Sequence, residues 1–311
     1  MNTLYNSTEN ANATTSAYEK MIQNASLQGA RIDVRAGLAQ KVDADIMIPV
    51  YNEQDQLRAS VTTLLNYLLS SQQQNNWAFT WNIVVVDNAS TDATWAIAQE
   101  LSQEYPDYVR AVHCNRKGRG LALKLSWSDS KAQVVSYMDV DLATDIQHTY
   151  SLIGSLLYGG ADVSFGCRLF DDSDVTRSAK REICSVGYNM ILQTMLRAQF
   201  FDAQCGFKAM RKEVADELLP QVQDNEWFFD TELLVLAQVL GKNMYEFPVH
   251  WVEAPGTTVN IPDTVRKDLQ GVWRMRKVVR NITRARNMQE SQRSRVKIYS
   301  SNVKTQAHNV L

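Results

Sequence analysis

Over the first half of this 311-residue chain, short unbroken apolar runs are separated by polar loops. ADIMIPV (44–50), WNIVVVD (81–87), VRAVHC (109–114) and QVVSYMD (133–139) lack polar alternation, as expected of strands buried on both faces. Between them the period changes. Leu57, Val61, Leu64, Leu65 and Leu68 recur at helical spacing. STDATWAIAQELSQE opens with Ser90 or Thr91 placed to cap a helix, and another helix is predicted over 119–129. Strands alternating with helices predict an α/β fold, a mostly parallel sheet covered by helices on both faces.

Beyond residue 150 the pattern is less regular. It predicts a helix over 146–158, a strand in ADVSFGCR and a long helical stretch over 174–197. CGFKAMRKEV reads as a strand turning into a helix, FFDTELLVLAQVLG as an apolar helix and NMYEFPVHW as a strand. The chain thus divides into a polar arm (1–42), an α/β domain (43–252) and a tail (253–311). The arm is rich in Asn, Thr, Ser, Gln and Ala, a composition that predicts a loose or partner-dependent segment. In the tail Val265, Leu269, Val272, Val279 and Ile282 share one helical face, with Trp273 at its edge and many arginines and lysines around it. Such a helix suits the surface of an anionic membrane, and it equally suits packing on the domain with its basic face in water.

The chain is 45% hydrophobic and 21% charged, with a formal net charge of −2, ordinary for a globular protein and unlike a basic nucleic-acid binder. Cys114, Cys167, Cys184 and Cys205 fit neither a zinc pattern nor a disulfide framework. No apolar run reaches the length of a membrane span, and the N-terminal residues lack a signal-peptide pattern. The expectation is a cytosolic protein, with membrane contact limited to its surface. His113, His148 and His250 show no partner spacing and read as structural.

The polar punctuation falls at the strand ends: PVYNE, DNASTD, NRKGRG and DVDLATD. In a parallel sheet these loops converge on a crevice beyond the carboxyl ends of the strands. Asp139 and Asp141 share one face as their strand runs out, a pair suited to a hard divalent cation or to a solvated turn. Asp87, after three valines, can accept from a ribose hydroxyl or a base N–H, or can order the next turn. Gly118 and Gly120 permit close backbone approach, while Arg116, Lys117 and Arg119 supply positive charge for a diphosphate at a helix N-terminus. A dinucleotide fingerprint and a Walker loop are both missing.

IPVYNE, VVVDNASTDAT, NRKGRGLALKLSW, MDVDLAT, SFGCR, QCGFKAM and FFDTELL, in that order, resemble the family 2 glycosyltransferases with a GT-A fold. The likeness is nearest to the dolichyl- or polyprenyl-phosphate sugar synthases of the glucosyl type, and it covers residues 43–252. The resemblance implies that Pro49, Tyr51 and Glu53 line the nucleotide pocket, that Asp87 holds the base or ribose, and that Lys117 lies near the base or diphosphate. It implies that Asp139 and Asp141 bind Mg²⁺ or Mn²⁺ and the diphosphate of a nucleotide-sugar, with a UDP-sugar as the expected donor. Two departures from the pattern stand out. Asn88 and Ala89 replace the second acid and the glycine of the usual VVDDGS, and Ala143 stands where some lipid-phosphate mannosyl enzymes carry a metal-binding Gln.

The acceptor stays open between polyprenyl phosphate and a saccharide or other hydroxyl. Arg168 and Arg181 fall where the resembling synthases keep arginines for an acceptor phosphate, a task suited to the planar guanidinium, but surface pairing with Asp171, Asp172 or Glu182 explains them too. Asp230 and Glu232 are the candidate base for a hydroxyl acceptor, or acids that favour the start of their helix. A reading from another class, an inactive nucleotide-sugar-binding protein, is opposed by the intact Asp139 and Asp141.

Overall fold

The computed structural model describes residues 29–37, 41–75, 77–176, 179–253 and 261–308, so residues 1–28 of the expected arm lie outside it. In chain order the elements are β1 (Ile32–Ala36), β2 (Ala44–Val50), α1 (Leu57–Asn75), β3 (Trp81–Asp87), α2 (Thr94–Glu104), β4 (Val109–Cys114) and α3 (Arg119–Asp129). There follow β5 (Val134–Met138), α4 (Thr149–Leu157), β6 (Val163–Cys167), β7 (Val175–Thr176), α5 (Ala179–Leu196), β8 (Phe207–Arg211) and α6 (Lys212–Leu218). The chain closes with α7 (Phe229–Val239), β9 (Met244–Pro248), β10 (Trp251–Val252) and α8 (Ile261–His308).

Eight strands form one sheet in the order β1-β4-β3-β2-β5-β8-β6-β9. The unbroken apolar strands pair in parallel at its centre, β2 with β3 and β5, and β3 with β4. Every residue of β3 and β5 is buried, because helices cover both faces. Alternate side chains serve opposite layers: Met47, Val84, Val86, Val135 and Tyr137 join one cluster, while Ile46, Ile48, Ile83, Val85 and Val134 join the other. Two strands run against the rest. β8 is antiparallel to both β5 and β6, and β1 is antiparallel to β4 at the edge. The strand β1 falls within the stretch expected to form a polar arm; its Ile32 is buried and the pairing with β4 gives its backbone partners. Reversal of β8 brings its first residues to the edge where β2, β3, β4, β5 and β6 end.

The tail helix α8 packs on this body. Val272 and Met275 are fully buried, with Val278, Val279 and Ile282 against the same cluster, so most of the apolar stripe covers the domain. Val265 and Leu269, assigned to that stripe by spacing, are exposed instead, because they sit off the line of contact. A Cβ at Gly271 would lie 2.5 Å from the Phe228 ring, so glycine sets how close α8 comes.

Asp268 is on the inner side of α8, 4% exposed, and its Oδ1 has no hydrogen-bond partner among the described residues. Burial, and then the Asp224 charge, push its pKa up to about 7 from the ordinary 3.8. Between those values the folded chain holds a proton that the unfolded chain has lost, so this group's contribution to stability falls as pH rises from 3.8 to about 7. Asp268→Asn is expected to remove that decline and to melt about 2–4 °C above the parent at pH 8. Thermal melts at pH 5 and 8 check it; coincident melting of the two chains at pH 8 would contradict the assignment.

Candidate active site

The loops after β2 and β3 form one stitched floor. Asn52, in a left-handed conformation (φ 56°), donates its backbone N–H to Ser90 Oγ at 3.0 Å. Its Oδ1 accepts from the Thr91 N–H at 2.8 Å. The Glu53 N–H donates to Thr94 Oγ1 at 2.8 Å, and Gln54 Oε1 accepts from the Ala93 N–H at 3.0 Å. Glu53 itself accepts from Gln56 Nε2 at 2.5 Å. Pro49 and Tyr51 are half-buried beside this seam. The Lys117 ammonium sits 3.4 Å from the centre of the Tyr51 ring, a cation–π contact that joins the third loop to the first. Asn88 Oδ1 accepts from the Gly118 N–H at 2.7 Å, a task a carboxylate could perform as well but with a charge this crevice does without.

Asp87 is the residue whose surroundings depart most from expectation. It has no exposed surface; Oδ2 lies 2.5 Å from His113 Nδ1, and Oδ1 accepts from the Ser90 N–H at 3.3 Å. In this structure Oδ1 orders the following turn while Oδ2 is paired with His113. His113, for which spacing offered no partner, is opposite Asp87 in the β3–β4 register.

The two remaining carboxylates of the crevice stand where β5 ends. The Asp139 N–H donates to the Gly206 carbonyl at 3.2 Å, across the start of the reversed β8. A Cβ at Gly206 would lie 1.7 Å from Asp139 Oδ2, so only glycine leaves room for this side chain. Asp139 Oδ1 accepts from Arg119 Nη2 at 3.0 Å, while Arg119 Nη1 donates to Asp230 Oδ2 at 2.7 Å. Arg119 therefore bridges α3, β5 and α7, between the rings of Tyr137 and Trp227. Asp141 is exposed, its Oδ1 accepting from the Ala143 N–H at 3.1 Å. Although the residue opens to solvent, the atoms crowded around its carboxylate partly desolvate it, and this, then the Asp139 and Glu53 charges, raise its pKa.

A cation between the carboxylates would relieve that raised pKa. Among the described residues no three His, Cys, Asp or Glu side chains converge as a metal cage. A carboxylate pair that leaves positions for water and phosphate oxygens fits Mg²⁺ or Mn²⁺, and it does not fit structural zinc.

The acids proposed as a base are both engaged. Asp230, 5% exposed, accepts from Tyr137 Oη at 2.5 Å as well as from Arg119, and Lys208 Nζ lies 3.6 Å away. Burial alone would raise its pKa; Lys208 and Arg119 outweigh burial and lower it. Glu232, also buried, accepts from Arg274 Nη2 of α8 at 2.6 Å and from the Asp224 N–H at 2.9 Å. Asp230, held ionised by Lys208 and Arg119, is a weak proton acceptor, and Glu232 is buried with its Oε2 taken up by both hydrogen bonds.

Arg168 has a partner that spacing did not suggest. Asp202, fully buried, takes its Nε at 2.8 Å and its Nη2 at 3.0 Å, rather than Asp171, Asp172 or Glu182. Arg168 also lines a groove of about 470 Å³ whose walls mix Leu169, Phe170, Met190 and Phe201 with the acids Asp171 and Glu182. Trp251 stacks near the Arg168 guanidinium at 5.4 Å and bridges to Thr144, which ties the groove to the Asp139–Asp141 loop. Arg181 belongs to α5, and its side chain lies outside the described residues. The structure thus gathers Tyr51, Glu53, Lys117, Asp139 and Asp141 at one edge of the sheet, with Arg168 beside the next strand end. Sequence reading missed Asp202 and Gly206 and saw Arg119 only as loop charge; chain spacing carries no signal for a partner 34 residues away.

The family model described as Glycosyl transferase family 2 matches residues 45–219. Glycosyltransferase AglD of Haloferax volcanii is 34% identical over 73% of this chain, which spans 36% of that protein's length. Dolichyl-phosphate beta-glucosyltransferase of Mus musculus is 29% identical over 68% of this chain and 68% of its own. A solved structure of glucosyl-3-phosphoglycerate synthase from Mycobacterium tuberculosis, with Mn²⁺, UDP-glucose and phosphoglyceric acid, superposes with a TM-score of 0.55 at 15% identity. That likeness covers 76% of this chain and 79% of the other, and it agrees with the layered α/β sheet described above.

Proposed function

The chain belongs to glycosyl transferase family 2 and is a glycosyltransferase; from that premise we propose that it moves a hexose, with inversion, from a nucleotide-sugar to polyprenyl phosphate. The mouse relative's name specifies glucose and a dolichyl-phosphate acceptor, and the mycobacterial neighbour was solved with UDP-glucose, so UDP-glucose is the donor we favour. Residues 43–252 carry the chemistry in this reading.

The observation that carries the acceptor assignment is the engagement of Asp230 and Glu232. Neither is available to take a proton from a hydroxyl, which favours a nucleophile that is already anionic. The groove at Arg168 is compatible with the same choice, since a guanidinium and several aliphatic and aromatic side chains share its lining, alongside the acids Asp171 and Glu182. In the proposed reaction an acceptor phosphate oxygen attacks the anomeric carbon from the side opposite the diphosphate. The bond from that carbon to the diphosphate oxygen breaks, and the nucleoside diphosphate leaves with the electron pair. Tyr51 and Glu53 border the nucleotide, Lys117 faces the diphosphate, and Asp139 and Asp141 hold the divalent cation. When bound, the cation supplies Lewis-acid stabilisation of the leaving diphosphate. Arg119 keeps Asp139 oriented toward the crevice.

The test is transfer of labelled sugar from a panel of nucleotide-sugars, with Mg²⁺ or Mn²⁺ and vesicles containing polyprenyl phosphate, beside the Asp141→Ala variant. Label is expected in the organic phase with the parent chain only. Metal-dependent turnover that yields no lipid product, but labels an added saccharide, would overturn the acceptor assignment and keep the donor chemistry.

A further inference from the structure

We propose that the outward face of α8 is a docking surface for bilayers that contain anionic phospholipid. The inner face of this helix is accounted for by Val272, Met275 and the Arg274–Glu232 pair. Its outer face is not. Trp273 is 64% exposed, and Leu269 is also exposed. Lys277, Arg280 and Arg284 follow Trp273 at helical spacing, so all four share one side. Arg276 lies with its guanidinium carbon 5.7 Å from the Trp273 ring centre. None of Arg276, Lys277, Arg280 and Arg284 makes an ion pair among the described residues, whereas Arg274, Lys242 and Lys212 do.

Charge identifies the partner. Between residues 264 and 288 the one acidic residue is Asp268, and it faces inward. The chain as a whole carries −2, so this cationic face is a local excess rather than a general property. Polyanions of several kinds would meet the charge, but the large exposed indole beside Leu269 suits a headgroup boundary, where an amphipathic ring has one wet side and one apolar side. The neighbouring helix α5 adds apolar surface: Ile183 is 72% exposed and Met190 61%. It packs on α8 through Tyr188, Ile191 and Met195, which join the cluster that Val278 and Val279 also reach. No helix among the described residues is long and apolar enough to cross a membrane, so the contact proposed is a surface one.

The proposal goes beyond the reading of the reaction, because neither donor nor acceptor takes part in it. The full chain is to be floated with vesicles of phosphatidylcholine alone, and with phosphatidylglycerol added, both free of polyprenyl phosphate. Binding is expected only to the second kind, and it is expected to weaken as salt rises. Lys277→Glu, Arg280→Glu and Arg284→Glu combined are expected to lower affinity on the order of a hundredfold. Trp273→Ala is expected to lower it about tenfold. The milder set Lys277→Gln and Arg280→Gln serves if the triple variant does not show the parent's melting transition. Equal binding to both vesicle kinds, full binding by the charge variants, or tighter binding of a mixed-sequence RNA than of the anionic vesicles would each overturn the proposal.

Discussion

Gly206→Ala is expected to lower sugar transfer about a thousandfold while leaving the chain folded, a loss in the range seen when one group that stabilises transition-state charge is removed. The added Cβ would stand 1.7 Å from Asp139 Oδ2 and 2.4 Å from its Cγ, distances no packed carbon tolerates. The Asp139 side chain is 45% exposed, so it can swing toward solvent instead of unfolding β5. That swing separates it from Asp141 and from Arg119, and the cation site loses one of its two carboxylates. Asp139→Ala is expected to match it. Initial rates of label transfer, metal titration and a thermal melt form the check. A Gly206→Ala chain with parental rates would mean that Asp139 does not act from the position described.

Arg119→Met carries the second large expectation, a loss of about 3–5 kcal/mol in stability, the usual cost of leaving one member of a buried ion pair behind. Asp230 is 5% exposed and would keep only Lys208 and Tyr137. The pH dependence follows from its lowered pKa. A carboxyl held below its ordinary 3.8 contributes stability above that value, and the contribution is lost as pH falls through the folded-state pKa. With Arg119 removed, less opposes the effect of burial, so the Asp230 pKa rises, and the variant's stability deficit is expected to be largest near neutral pH and to shrink as pH falls. Urea melts at pH 7 and pH 4 would show both effects. Asp230→Asn in the same chain is expected to restore part of the loss; no restoration would place the cost elsewhere than in the orphaned carboxylate.

Much of the fold is legible because β2, β3 and β4 are buried on both faces, and such strands announce themselves as unbroken apolar runs. Direction is not announced. CGFKAMRKEV reads as strand then helix whichever way β8 runs, yet its reversal is what brings Gly206 to Asp139. Register is equally silent: Asp87 faces His113 only because β3 and β4 align as they do. Asp139 and Asp141 could be picked out because two acids at the end of an apolar strand need compensation, a local fact. Arg168 with Asp202, and Arg119 with Asp230, are pairs between distant segments, and each charge looked solvated until the other arrived. The face of α8 was ambiguous for a different reason. An apolar stripe is the same whether a domain or a bilayer covers it, and the domain proved to cover Val272, Val279 and Ile282.

The stitching of the first two loops has a thermodynamic consequence for recognition. Asn52, Glu53 and Gln54 are already bound to Ser90, Thr91, Ala93 and Thr94, so the donor side of the crevice has little conformational freedom left to surrender. If the nucleotide binds there as proposed, its affinity is set by fit to a standing mould, and a poorly matched base finds no adaptable wall to accommodate it. Rigidity on that side makes discrimination a matter of outline, not of closure.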